Sequence, residues 1–206
     1  MDIGKFEQLP LVGILRGIKE ESVDLLVETV VSAGLKTIEV TMNTASADKI
    51  IARMVKASAG DLTIGAGTVL CMKDLHSALD AGATFIVMPT LIQDVTAYCV
   101  KNNIPVFPGA FTPQEIHNAW LAGASMVKIF PSSFFGPTYF KEIKGPFNDI
   151  PLLACGGVNS KNIGEFFANG ASAAAFGGSV FNLKKLEKGD VNGIKRDIED
   201  LIAGLL

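Results

Sequence analysis

Four stretches decide the fold: SAGLKTIEVT at residues 32–41, DAGATFIVMP at 80–89, LAGASMVKIF at 121–130 and NGASAAAFGG at 169–178. Each sets a glycine just ahead of a short apolar run. The glycines, Gly34, Gly82, Gly123 and Gly170, are 48, 41 and 47 residues apart, each gap the length of two small βα units. A glycine just past a helical pattern is the left-handed residue that closes a helix, and the apolar run after it reads as a strand. Helix, glycine and strand recurring in that order predict parallel βαβ units.

Working outward, the same reading predicts strands near 11–16, 37–42, 62–68, 85–89, 105–109, 126–130, 151–155 and 173–178. Amphipathic helical patterns fall over 20–33, 46–58, 73–81, 113–122 and 160–169. Eight βα units in 206 residues sit at the lower size limit of a TIM barrel, about 200 residues. The expected architecture is therefore α/β, a single (β/α)8 TIM barrel with a short N-terminal helix, residues 1–206 forming one domain. The competing arrangement, an open doubly wound sheet of five or six strands, requires two of these strands to be loops.

Composition narrows the function. Hydrophobic content of 49% and charged content of 19% exclude a disordered chain. A net charge of −3 gives no basic footprint for nucleic acid or an anionic membrane. The apolar run TFIVMPTLI, at 84–92, is too short to span a bilayer. The opening MDIGKFEQLP is polar and acidic, so no secretory signal is expected. Cys71, Cys99 and Cys155 are odd in number and far apart, which suits a reducing cytoplasm rather than a disulfide framework. His76 and His117 lack partners at ligand spacing and are expected at the surface, so no metal site is expected. Trp120 reads as outer-layer packing, and the Lys184–Lys185 pair as a solvated face.

In a barrel of this kind the chemistry sits at the carboxyl ends of the strands. Period-2 alternation places Val12, Ile14 and Arg16 on one face, and sets Glu39 and Thr41 opposite Ile38, Val40 and Met42. It groups Ile64, Ala66 and Thr68, then Phe85, Val87 and Pro89, then Met126, Lys128 and Phe130. If the aliphatic faces meet the helices, Arg16, Glu39, Thr68 and Lys128 point into the barrel mouth. Lys128 is the sharpest signal, because an ammonium in an apolar strand is expensive to desolvate. A lysine so placed can attack a carbonyl as a Schiff-base nucleophile, or it can be a structural ion-pair partner. Glu39 can neutralise it or act as a general acid/base. Arg16 can grip a carboxylate, or bridge at the rim.

Gly156–Gly157 and Gly177–Gly178–Ser179 end the last two strands. There this fold recurrently binds phosphate with backbone N–H groups. Ser132 and Ser133 are placed either to reach that phosphate or to cap the next helix. Gly65 and Gly67 leave backbone bare beside Thr68, for a ligand or for close strand packing.

The motifs GILRGI, TIEVTMNT, IGAGTVL, IVMPT, VFPGAFTP, VKIFPSSFFGPTYFKEIKGPF, ACGGVN and AFGGS occur in this order. Over essentially the whole chain they resemble the 2-keto-3-deoxy-6-phosphogluconate (KDPG) / 4-hydroxy-2-oxoglutarate (KHG) aldolase family. The resemblance implies a class I aldolase with no metal or other cofactor. It would cleave a phosphorylated keto acid to pyruvate and glyceraldehyde 3-phosphate, in the cytoplasm and as a homotrimer. It implies Lys128 as the Schiff-base lysine and Glu39 as the acid/base. Arg16 and Thr68 would hold the pyruvate carboxylate, with Pro89 lining the pocket beside Cys155 and Gly156. Gly157, Gly177, Gly178 and Ser179 would take the phosphate.

Two departures mark the chain. Asn43 stands where many gluconate-type members have arginine, and Cys155 where they tend to have threonine, a pattern closer to the 6-phosphogalactonate branch. On the residues alone, another phosphate-binding TIM-barrel enzyme (a phosphosugar isomerase or a thiamine-phosphate synthase-like transferase) and a non-catalytic phosphometabolite binder remain as alternatives.

Overall fold

A computed structural model describes residues 1–205; the last residue of the expected domain, 206, lies outside them. The chain runs α1 (Ile3–Phe6), β1 (Leu11–Leu15), α2 (Val23–Ser32), β2 (Thr37–Thr41), α3 (Ala47–Ser58), β3 (Thr63–Gly67), α4 (Met72–Asp80) and β4 (Ile86–Val87). It continues through α5 (Gln93–Lys101), β5 (Val106–Phe107), β6 (Gly109–Ala110), α6 (Pro113–Leu121), β7 (Val127–Ile129) and α7 (Thr138–Lys144). Last come β8 (Leu152–Cys155), α8 (Ile163–Ala168), β9 (Ala173–Phe176), α9 (Leu183–Glu187) and α10 (Val191–Ala203).

The repeated glycines close α2, α4, α6 and α8. Gly34, Gly82, Gly123 and Gly170 have φ of +87°, +97°, +91° and +97°. After α2 the Leu35 N–H reaches the Val30 carbonyl and the Gly34 N–H reaches Val31; the same pair of bonds recurs after the other three helices. This double bond satisfies the carbonyls that a helix end leaves open and turns the chain directly into the next strand.

All strand pairs are parallel, in the order β5-β4-β3-β2-β1-β9-β8-β7-β6. Apart from β1 beside β9, sheet neighbours are sequence neighbours, with no order reversal of the kind a doubly wound sheet needs. The expected strand near 105–109 is two pieces. β5 pairs with β4 through Ile86↔Val106, and β6 with β7 through Gly109↔Lys128. Pro108 between them has no N–H to give to a ladder, although its carbonyl accepts from the Lys128 N–H at 2.9 Å. The barrel thus closes through one proline.

Two buried layers follow from the alternation. The outer one packs the aliphatic strand faces on the helices. The inner one holds Val12, Phe85, Val87, Phe107, Met126 and Leu153, with Ala173 and Ala175 from β9. The Phe85 and Phe107 rings, 5.8 Å apart, take up much of this narrow interior, and β3 answers with no side chain. A Cβ on Gly65 would lie 2.4 Å from the Phe85 ring, and one on Gly67 would lie 2.3 Å from Glu39 Oε1. These two glycines are therefore covered from inside, and neither offers its backbone to a ligand. At the other end α1 seals the floor. Phe6 is buried with its ring 6.3 Å from Phe107, and the Met1 amino group donates to the Thr84 carbonyl at 3.1 Å.

One face assignment needs correction. Ile64 and Ala66 pack outward, but Thr68 does not follow them. β3 ends at Gly67, and Thr68 takes a left-handed conformation, φ +54°, which carries its side chain into the mouth.

Replacing Gly65 with alanine should lower stability by roughly 1–3 kcal/mol through overpacking. Because the clash is with one ring, Gly65→Ala combined with Phe85→Leu should cost less than the sum of the two single changes in urea unfolding. Strict additivity would contradict this packing.

Candidate active site

A cavity of about 960 Å³ opens at the carboxyl ends of the strands. It brings together Arg16, Glu39, Thr68, Pro89, Lys128 and Cys155 at one end, and Gly156, Gly157, Gly177, Gly178 and Ser179 at the other. These are the residues to which the family resemblance gave catalytic or substrate-binding roles; Gly65, Gly67, Ser132 and Ser133 are not among the lining residues. A wider groove of about 1060 Å³ lies outside the barrel between α2 and α3. It is lined by the exposed Asp24–Arg53 pair and other surface residues, with no strand-end group among them.

β2 carries Glu39 in register with Ile14 and Gly65, all facing inward. Its side chain is 1% exposed, and its Oε2 has no hydrogen-bond partner among the described residues. Burial pushes this carboxyl above the usual carboxylate range, opposed by the charges of Lys128 and Arg16.

Lys128 stands on β7 between Gly109 and Leu153 of the flanking strands and is 6% exposed. Its Nζ lies 5.2 Å from the centre of the Phe130 ring, within cation–π range. No carboxylate among the described residues comes within 4.0 Å of it. The lysine and the glutamate therefore share a cavity without collapsing into an ion pair.

Two hydroxyl ties shape the rim. Gly17, φ +66°, donates its N–H to Thr44 Oγ1 at 3.0 Å, and Thr44 shares a second hydrogen bond, also 3.0 Å, with the buried Thr41. This fixes the turn that carries Arg16, whose Nη2 donates to Thr68 Oγ1 at 3.4 Å. Asn43, two residues after β2, is exposed and off the cavity, so Arg16 is the guanidinium that faces it.

On the other side Ser132 Oγ donates to the Ile129 carbonyl at 2.8 Å and accepts from the Cys155 N–H at 2.9 Å. Ser132 is thereby a buried link between β7 and β8 and Ser133 is exposed; neither lines the cavity, and neither caps α7, which Pro137 begins. The Cys155 thiol is raised by burial, with the Lys128 charge opposing.

The glycines at the other end of the cavity are there for different reasons. Gly156 and Gly157 have φ of +96° and +82°, and a Cβ on Gly157 would strike Ser133, so the backbone itself demands glycine there. Gly178 is different: a Cβ would meet nothing within 4 Å and its φ is ordinary. Its missing side chain relieves no contact within the protein and leaves open space in the cavity. The N–H groups of Gly157, Gly178 and Ser179 donate to no group among the described residues. The Ser179 hydroxyl donates to the Val158 carbonyl at 2.9 Å, so its side chain is already committed.

Sequence reasoning passed over Phe130, Asn159, Asn182 and Lys184, which also line the cavity. Lys184 is exposed, as its reading in a solvated face expects, and also borders the cavity; Lys185 departs from that reading, being half-buried against Asp197. His76 is exposed as expected, whereas His117 is half-buried against the Phe147 ring at 5.5 Å. Among the described residues no group of three or more His, Cys, Asp or Glu side chains could hold a metal ion.

Fold and site together define a parallel barrel with an unpaired lysine and a buried carboxyl at the strand ends, beside free backbone N–H groups. The family model described as KDPG and KHG aldolase matches residues 3–197, and the chain belongs to that family. It is 35% identical to the 2-dehydro-3-deoxy-6-phosphogalactonate aldolase of Escherichia coli K12, over 84% of this chain and 85% of that one. A solved native KDPGal structure aligns with a TM-score of 0.89 at 31% identity, covering 96% and 94% of the two chains. A KDPG aldolase from Legionella pneumophila, solved with pyruvate captured as a covalent carbinolamine, aligns with a TM-score of 0.86 at 25% identity over 93% of each chain.

The raised Glu39 carboxyl has a consequence for stability. The native state holds this proton more tightly than the unfolded chain, so the protein loses stability as pH climbs from the ordinary carboxylate range through the raised native value. Unfolding free energies of the wild type and Glu39→Gln, compared across pH, should show the wild type falling relative to the variant over that interval. A constant difference would show that Glu39 is not perturbed.

Proposed function

We propose that the chain is a class I aldolase that cleaves 2-keto-3-deoxy-6-phospho sugar acids to pyruvate and glyceraldehyde 3-phosphate. The observation that carries this reading is Lys128, buried at a strand end with no carboxylate of the described residues in ion-pair range and facing the same cavity as Glu39.

A lysine attacks a carbonyl as the free amine. Lys128 Nζ adds to the C2 ketone, and loss of water leaves a protonated imine. The C3–C4 bond then breaks with its electron pair passing into that imine as an enamine. Glu39 takes the C4 hydroxyl proton through a water, and glyceraldehyde 3-phosphate departs. The enamine is reprotonated at C3 and the imine hydrolysed, which releases pyruvate and restores Lys128.

Arg16 and Thr68 hold the substrate carboxylate, with Pro89 against the keto-acid end. Gly156 shapes the turn, while the N–H groups of Gly157, Gly178 and Ser179, together with Gly177, receive the phosphate. Contacts so far from the reacting bond supply positioning energy.

Cys155 bears on which epimer is preferred. A thiol is a weak donor and acceptor beside a threonine hydroxyl. Together with the 35% identity to the E. coli galactonate-type enzyme, it supports the 6-phosphogalactonate substrate over the gluconate one. Residues 1–206 act as one catalytic domain with no cofactor. The family resemblance supports a homotrimer in the cytoplasm; no helix among the described residues is long and apolar enough to cross a membrane.

Two outcomes are expected. Pyruvate with borohydride should attach covalently to Lys128, detected by peptide mass spectrometry. Lys128→Ala should lose both the adduct and the aldol cleavage; a non-catalytic binder or a phosphosugar isomerase would give no adduct. Assayed side by side, the galactonate epimer should show the higher kcat/KM. Cys155→Thr should move that ratio towards the gluconate epimer by roughly tenfold, the effect of one hydrogen bond.

A further inference from the structure

We infer that Lys184 is the cation that holds the substrate phosphate and makes the enzyme prefer phosphorylated over unphosphorylated keto acids. This rests on the aldolase reading above and adds to it a residue that the glycine-rich strand ends do not contain.

The argument starts from charge. A phosphate monoester carries about −1.5 to −2 near pH 7. Two cations of the cavity, Arg16 and Lys128, stand with Glu39 at the keto-acid end. At the glycine end the lining has no aspartate or glutamate, and Lys184 is the charged side chain among the described residues there.

The neutral side chains at that end are largely spoken for. Ser179 Oγ donates to the Val158 carbonyl. Asn159 Nδ2 donates to the Gly157 carbonyl at 3.1 Å, and its Oδ1 accepts from the Lys161 N–H at 2.9 Å. Asn182 Oδ1 accepts from the Lys184 N–H at 2.9 Å. What remains to meet a dianion among the described residues is the free backbone N–H groups, the Asn182 amide NH2, the open space over Gly178, and the Lys184 ammonium, the one of these donors that carries a charge.

The neighbouring lysine sharpens the assignment. Lys185 is bound to the Asp197 carboxylate and reaches the Gly193 carbonyl at 3.5 Å, so it ties α9 to α10. Lys184 is exposed, faces the cavity, and makes no ion pair among the described residues. Two adjacent lysines thus take different work: one holds a helix, the other is free for the ligand.

The test measures kcat and KM of wild type, Lys184→Ala, Lys184→Arg and Lys185→Ala. The substrates are the 2-keto-3-deoxy-6-phospho sugar acid and unphosphorylated 4-hydroxy-2-oxoglutarate, and inorganic phosphate binding is measured by calorimetry. Losing one charge-assisted contact should raise KM for the phosphorylated substrate roughly 10- to 100-fold and weaken inorganic phosphate comparably. Lys184→Arg should retain most of the affinity. Turnover of the unphosphorylated substrate and the pyruvate–borohydride adduct should be unchanged. Lys185→Ala should lower the melting temperature while leaving KM alone.

Equal losses on both substrates, or no loss on either, would overturn the assignment. Should the wild type form no pyruvate adduct, the aldolase reading fails instead. The phosphate titration of wild type against Lys184→Ala then still decides the role of Lys184.

Discussion

The Glu39 carboxyl occupies the space that a side chain on Gly67 would fill, and much of the site depends on that substitution of one group for another. Sterics hold Glu39 in the barrel interior, against bare backbone on β3, whereas an ion pair would have held it against Lys128. An ion pair would have neutralised both groups and used up the lysine. Held by packing, the carboxyl keeps one oxygen without a hydrogen-bond partner among the described residues, and the lysine lines the same cavity without pairing to it. The same narrowness sets Phe85 over Gly65 one step deeper, so the residues below the site and those within it obey one rule.

Around this pair the rim is made rigid by hydroxyl groups that do no chemistry. Thr44 joins the turn after β1 to the end of β2, and Ser132 joins the end of β7 to β8. Each tie spans two consecutive strand ends, one on the Arg16 side and one on the Cys155 side. With both in place, short loops suffice to hold the mouth open at a fixed shape. A chain of this length has few residues to spare for longer ones.

How much of this was legible depended on whether a feature is local. Arg16, Glu39 and Lys128 could be read because they sit on strands or at a strand end, where period 2 decides which way a side chain points. Thr68 reached the expected place by another route, a left-handed residue just past the end of β3, to which alternation no longer applies. The four glycine helix ends were legible. The equivalent end of α5 was not, because Asn103, φ +55°, does the same work there. Pro108 inside an expected strand signalled the break between β5 and β6. Whether Gly65 and Gly67 face a ligand or a neighbour depended on Phe85 and Glu39 from adjacent strands. Likewise only Asp197, on a different helix, separates Lys185 from Lys184. Relations between distant segments are what a linear reading lacks.

The sealed floor bears on the order of events during turnover. With Phe6, Met1 and Ile3 packed into the inner layer beneath Phe107, a molecule at Lys128 has the mouth as its way in and its way out. Both products of a cleavage must then leave through the opening by which the substrate came. In the proposed mechanism the aldehyde fragment, held by non-covalent contacts nearer the rim, would go first. The three-carbon fragment, still bonded to the lysine beneath it, would follow only after that bond is hydrolysed. In a vessel with one opening, the depth at which the covalent bond forms dictates the sequence of departure.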